Sequence, residues 1–280
     1  MTTWFITGAS RGFGLEIARQ ALDRGDNVVA TARNPQAITD ALPGSGGHLL
    51  EVALDVTDEQ QARTAVSAAV ETFGAIDVLV NNAGRGLLGA VEESSDPAVR
   101  AIYDINVFGL LNVSRAVLPV MRAQRSGRIL NVSSLGGFSS SAGFGIYCST
   151  KFAVEGISEA MHAELAGLGI AVTVVEPGYF RTDFLDDRSL HTEDALIDDY
   201  ANTAGAVRGA VPGLNHAQPG DPVKGAAAFL ALADADAPPL RAQLGSDCLQ
   251  ELGTKITQLR TESETWRDLA VSTDHDDALV

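Results

Sequence analysis

Short apolar runs alternate along this chain with longer stretches in which apolar residues recur every three or four positions. The runs at 4–7, 27–32, 48–53, 76–81, 128–133 and 171–176 predict strands, and 240–244 a short final one. The stretches at 12–24, 58–73, 97–125, 144–168 and 222–233 predict amphipathic helices, the second with Asp58 placed to cap it. The strand runs are apolar throughout rather than alternating, as strands buried on both faces are. Alternation of this length predicts right-handed strand–helix–strand units. The expected fold is α/β, a doubly wound parallel sheet with helices on both faces, in a single domain over 1–245. After Pro177 the pattern loosens, and most of 184–222 is polar. A further helix is predicted over 246–270. Its stripe of Leu244, Leu249, Leu252, Ile256 and Leu259 is expected to pack against something. The acidic tail at 271–280 is expected to be disordered.

Composition narrows the partners. The 280 residues suffice for a sizeable core, and 45% hydrophobic with 20% charged residues is the balance of a soluble globular protein. A net charge of −16 repels phosphate backbones, so nucleic acid is not an expected partner. Cys148 and Cys248 make neither a disulfide framework nor a zinc site; no metal is expected, and a reducing compartment is. The N-terminus lacks a basic segment before an apolar one, and no run approaches a membrane span. The expectation is a cytoplasmic protein with no membrane partner.

The candidate chemistry lies at the ends of the predicted strands. Tyr147 and Lys151 stand four apart, on one face of a helix. An ammonium beside a phenol favours the phenolate, so the tyrosine pKa is expected to fall and the group to exchange a proton with a substrate oxygen. Thr7-Gly8-Ala9-Ser10-Arg11-Gly12-Phe13-Gly14 lies where the first strand turns into the first helix. Glycines there allow a tight turn and close approach to a pyrophosphate, which a helix N-terminus favours. An unphosphorylated ribose usually calls for an acid about 20 residues past the glycines. The second strand ends instead at Arg33. With Arg11 in the loop, two guanidiniums suit a ribose 2′-phosphate, which they can hold bidentately. Asp55, followed by Val56, ends the third strand where an adenine would lie. Asn82-Ala83-Gly84, Ser133-Ser134 and Pro177-Gly178-Tyr179-Phe180-Arg181-Thr182 end the fourth, fifth and sixth strands, at the edge where a parallel sheet binds ligands.

Taken together, these segments resemble the short-chain dehydrogenase/reductases of single-domain type. Thr7–Gly14, Asn82-Ala83-Gly84, Asn106, Ser134, Tyr147, Lys151 and Pro177-Gly178 with Thr182 carry the resemblance. Ser134, thirteen residues before Tyr147, has the spacing the family uses and is preferred to Ser133. The resemblance implies a Rossmann-like fold with a hydride-transfer site. Ser134 would hydrogen-bond a substrate carbonyl, and Tyr147 would give or take the proton. Lys151 would lower the tyrosine pKa and bind the nicotinamide ribose, and Asn106 would hold a water linking Lys151 to solvent. NADP(H) is the implied cofactor. The stretch from Phe152 to Glu159 looks closest to the branch of hydroxysteroid and retinol dehydrogenases and bacterial carbonyl reductases. Phe138, Phe144, Tyr179, Phe180 and Phe184 fall near the implied pocket, which points to an apolar carbonyl substrate. The resemblance also implies a mobile substrate lid at 184–214 and a homodimer built from the helices holding Asn106 and Tyr147, with a homotetramer open. The implied activity is NADPH-dependent reduction of a ketone or aldehyde. The alternatives are an NAD-dependent alcohol dehydrogenase and a non-catalytic nucleotide sensor.

Overall fold

The computed structural model describes residues 1–44 and 46–275. Thr3–Thr7 (β1), Gly12–Asp23 (α1), Asn27–Ala32 (β2), Gln36–Ala41 (α2), Leu49–Ala53 (β3), Glu59–Phe73 (α3) and Val78–Asn81 (β4) form the first half. Gly86–Leu88 (β5), Asp96–Tyr103 (α4), Leu110–Gln124 (α5), Gly127–Val132 (β6), Gly145–Leu165 (α6) and Ile170–Pro177 (β7) follow. Leu190–Thr192 (β8), Ala204–Leu214 (α7), Pro222–Asp234 (α8), Arg241–Leu244 (β9), Ser246–Thr265 (α9) and Arg267–Val271 (α10) complete the chain. The main sheet runs β3-β2-β1-β4-β6-β7-β9, with every pair parallel. The order reverses between β1 and β4, which opens a crevice at the carboxyl ends of the strands.

Both faces of the sheet are covered. Trp4 and Ile6 pack with Ile17 of α1 and Phe229 of α8. Phe5, between them in sequence, points the other way and packs with the cluster of Val113, Val117 and Met121 on α5. Period-two alternation thus feeds two cores, and the strands read as unbroken apolar runs because neither side meets water. The helix ends are set locally. Asp58 accepts the N–H groups of Gln60 and Gln61 at 2.9 and 3.0 Å, and Gly74 ends α3 at φ 80°.

Four expectations change. The helix predicted over 97–125 is two helices joined by a π-helical turn at Asp104–Gly109. That turn carries buried Asn106, whose side chain bonds outside the helix, and a wide turn at a functional position is a common place for one. The α4–α5 stretch, Asp96–Gln124, is also long and apolar enough to cross a membrane, contrary to the expectation that no run is. Half of it is buried, and its apolar side is the core just described. Finally, most of the stripe on α9 does not pack against its own chain: Leu249, Ile256 and Leu259 are 58, 57 and 52% exposed. Leu244 alone joins the core. The expected disordered tail begins at Val271, which instead closes α10; its remainder from 276 to 280 lies outside the described residues.

The polar stretch after Pro177 holds more order than its pattern announced. β8 pairs in parallel with β5, and α7 follows. Three-residue strands are too short for alternation to be read.

Candidate active site

The crevice at the carboxyl edge has a volume of about 730 Å³ and runs from Arg33 to Tyr179. Its floor at one end is the glycine loop. Gly8 and Gly12 take φ 66° and 55°, a region costly for any side chain. The first turn of α1 has no side-chain cap, so its N–H groups remain directed into the loop. Thr7 and Gly14 belong to this loop but do not reach the crevice wall. Thr7 Oγ1 accepts the N–H groups of Asn82 and Ala83 at 2.9 and 3.0 Å. A Cβ on Gly14 would lie 2.5 Å from the Gly8 carbonyl oxygen. Both act as internal struts of the loop. Asn82 completes the frame, its Nδ2 donating to the carbonyls of Thr7 and Gly8 at 2.9 and 3.1 Å.

Ser10, Arg11, Gly12, Phe13, Arg33, Asp55, Val56, Ala83 and Gly84 line this half together, as the sequence expected. Their surroundings differ. Arg33 is exposed. Arg11 is committed to the covering segment, donating to Arg188 O at 3.3 Å and Ser189 Oγ at 2.9 Å. Asp55 Oδ1 accepts from Thr57 N and Oγ1 at 3.0 and 2.7 Å. Phe13 packs against Phe180 with ring planes tilted by 59° and centroids 4.9 Å apart.

At the other end, α6 presents Tyr147 and Lys151 toward the end of β6. Tyr147 and Ser134 both line the crevice here, and Ser134 Oγ accepts Gly136 N at 3.0 Å. Ser133 also borders the crevice but is 3% exposed, and its Oγ is buried without a hydrogen-bond partner. Lys151 Nζ donates to Val132 O at 2.9 Å and lies 5.8 Å from the Tyr147 ring centroid. Burial dominates both titrations. It pushes the Tyr147 phenol up and the Lys151 ammonium down to about 8. The expected lowering of the tyrosine by its neighbour is therefore not produced by spacing alone. Desolvation outweighs an ammonium that is turned to a backbone carbonyl.

Asn106 is brought to this group but sits behind the wall. Its Oδ1 accepts Arg85 N at 2.9 Å, and its Nδ2 donates to Arg85 O and Thr150 Oγ1, both at 3.0 Å. It fixes the stretch after Gly84 against α6. The side-chain amide is thus engaged within the protein, and the water link remains an expectation from the resemblance.

Phe144 and Phe184 flank the Tyr147 ring at centroid distances of 6.1 and 5.3 Å. Pro177, Gly178, Tyr179, Phe180 and Thr182 complete the wall, whereas Phe138 is not part of it. The wall also holds residues the sequence did not single out: Arg85, Ser139, Cys148, Leu185, Arg188 and Gln218. Only Cys148 and Arg85 carried a signal, as direct neighbours of Tyr147 and Gly84. Ser139, Leu185, Arg188 and Gln218 come from irregular segments that long-range pairing folds over the site.

Below the site, one turn past Lys151 on α6, Glu155 meets Glu176 of β7. Both are buried, and Glu155 accepts from Arg241 Nε at 3.2 Å. Burial, with the neighbouring Glu155 charge, raises the Glu176 pKa well above the ordinary range. At the mouth, where no metal was expected, Asp183, Asp186 and His216 bring ligand-type atoms within 4.8 Å. Hydrogen bonds to Asp186 from Asn215 at 2.6 Å and with His216 at 3.2 Å account for that grouping.

The glycine cradle, the open helix N-terminus and the long crevice fit a dinucleotide. Known proteins agree. Residues 2–193 match the sequence model of the short chain dehydrogenase family. Oxidoreductase BOA17 of Botryotinia fuckeliana is 40% identical over 270 residues, covering 96% of this chain and 98% of its own. A short-chain dehydrogenase from Streptomyces avermitilis superposes with a TM-score of 0.90 at 38% identity, over 98% of this chain and all of its own. ElxO with NADP bound superposes with a TM-score of 0.73 at 25% identity, over 89% and 99% of the two chains. Solved structures of this fold carry NAD in one case and NADP in another. The protein is an oxidoreductase of an NAD(P)-binding fold, and the chain belongs to the short-chain dehydrogenase family.

Proposed function

We propose that the protein reduces an apolar ketone or aldehyde with NADPH. The observation that carries this reading is that the hydroxyl-bearing side chains of Ser134 and Tyr147 line the same crevice as the glycine loop, with Lys151 one turn along from Tyr147. Gly8, Ser10, Gly12, Ala83 and Gly84 would hold the dinucleotide, and Arg33 its 2′-phosphate. When bound, the nicotinamide supplies a hydride to the carbonyl carbon. Ser134 donates a hydrogen bond to the carbonyl oxygen and orients it. Tyr147 gives that oxygen its proton. A phenol whose pKa is raised by burial holds its proton at neutral pH, which favours the reductive direction. Lys151, with its pKa near 8, is still largely an ammonium there and offsets the phenolate left behind. Phe144, Phe184 and Tyr179 would enclose an apolar substituent and exclude water.

The preference for NADPH rests on Arg33, exposed at the crevice end where the second strand supplies no acid. A homodimer is part of the same proposal. Phe108 beside α5 and Phe152 on α6 are 52 and 45% exposed, on the helices that the family pairs between subunits. Light scattering should give twice the chain mass; a monomer overturns the dimer alone. The activity is tested by following nicotinamide absorbance with a panel of ketones, aldehydes and steroids. Turnover with NADPH supports the reading. Faster turnover with NADH favours the oxidative dehydrogenase, and binding without turnover favours a sensor.

A further inference from the structure

The helix α9 follows the last strand of the sheet, and its far half lies exposed. Its first six residues are placed differently. Asp247 Oδ2 accepts the backbone N–H of Tyr179 at 2.7 Å. The same carboxylate lies so close over Gly178 that a methyl group there would collide with it. Cys248, fully buried, donates from Sγ to Glu176 O at 3.1 Å, at the end of β7. Glu251, one turn beyond Asp247, accepts from Ser139 Oγ at 2.5 Å. Ser139 closes the turn that Ser134 opens, its N–H bonding Leu135 O at 3.2 Å. Ser139, Gly178 and Tyr179 all line the crevice.

Two carboxylates on one face of α9 therefore grip two different loops. One loop ends β6 and carries Ser134, and the other ends β7 and carries Tyr179. Both loops line the crevice that also holds Tyr147. Hydrogen bonds to carboxylates are stronger than neutral ones, and these two tie both loops to one helix.

We propose that the start of α9 is the outer frame of the substrate site, with Asp247 and Glu251 as positioning residues that set the separation of the Ser134 and Tyr179 loops. The proposal rests on the carbonyl-reductase reading for the identity of the substrate, and on geometry alone for the clamp. It gives the helix beyond the last strand a task in substrate recognition.

The test uses full-length protein and four substitutions, Asp247→Ala, Asp247→Asn, Glu251→Ala and Glu251→Gln. Each alanine variant should raise the carbonyl KM about tenfold, the effect of losing a charge-assisted bond, with the NADPH Kd unchanged. Asn and Gln keep an acceptor oxygen and should recover most of that loss. Hydrogen exchange followed by mass spectrometry should speed up in 134–144 and 177–189 only. Unchanged KM, or a loss that moves NADPH affinity and global exchange equally, overturns the clamp. If the unaltered protein reduces no carbonyl, the reductase reading fails, and exchange still decides the clamp. Faster exchange of both loops in the alanine variants upholds it, and unchanged exchange removes it.

Discussion

The two halves of the crevice are built on different principles. The nucleotide half, at the ends of β1 to β4, is made of short turns whose backbone groups are tied to one another: Thr7, Gly8 and Asn82 hold each other within a few residues of their strands. The substrate half, at the ends of β6 and β7, depends on pieces distant in sequence. Phe184 reaches Tyr147, Glu251 reaches Ser139 and Asp247 reaches Tyr179. Thr7 and Asn82 are themselves far apart in sequence, but they lie at the ends of two paired central strands, and the β1–β4 ladder brings them together. The substrate half instead draws on Phe184, Asp247 and Glu251, which lie outside that ladder. A dinucleotide is a constant ligand and a substrate is not, which suits one half built on the central sheet and one built from added segments.

That contrast can be broken by substitution. The largest effect is expected at Tyr147, where Tyr147→Phe should cost about 10²–10⁴-fold in turnover while dinucleotide affinity, read by nicotinamide fluorescence, stays as it was. Near-normal turnover would remove the proton donor from the mechanism. In the nucleotide half, Arg33→Ala should weaken NADPH about tenfold or more and leave NADH almost untouched, because only the 2′-phosphate gains from a guanidinium. Equal losses for both cofactors would contradict the assignment. Gly14→Ala inserts a methyl 2.5 Å from a backbone oxygen and should destabilise by about 1–3 kcal/mol, loosening the glycine loop without altering the substrate KM once the cofactor saturates. A change confined to KM would show that the halves are not separable.

The smallest effect belongs to the carboxyl pair beneath the substrate half. Glu176 has a folded pKa raised from 4.5 to about 7, so folding favours its protonated form. The associated stability is full below the ordinary pKa and is lost as pH rises through the raised one. The melting temperature should therefore fall between about pH 5 and pH 8, and Glu176→Gln should flatten that slope. A slope unchanged by the substitution would assign it to other groups.

How much of this was legible follows the same division. The main strands, their parallel order, the glycine loop and the Tyr147–Lys151 pair all lie in short windows where period and residue type suffice. The π-helical turn at Asn106 was not legible, since its i+5 spacing is stabilised by bonds to Arg85 and Thr150 from elsewhere. β8 was hidden by its length. The packing of Thr7 and Gly14 against the rest of the loop was not legible, because a motif does not say which members face one another.

From the sequence alone came the layered α/β sheet, the family resemblance and the set of residues that meet at the sheet edge, because hydrophobic period and turn chemistry act over a few residues. Tertiary structure decided what that period cannot encode. It turned Arg11 toward the covering segment and gave Asp247 and Glu251 their loops. It also reversed the expected tuning of Tyr147, since a pKa depends on how deeply a group is buried and on where its neighbour points, and both are properties of the folded chain.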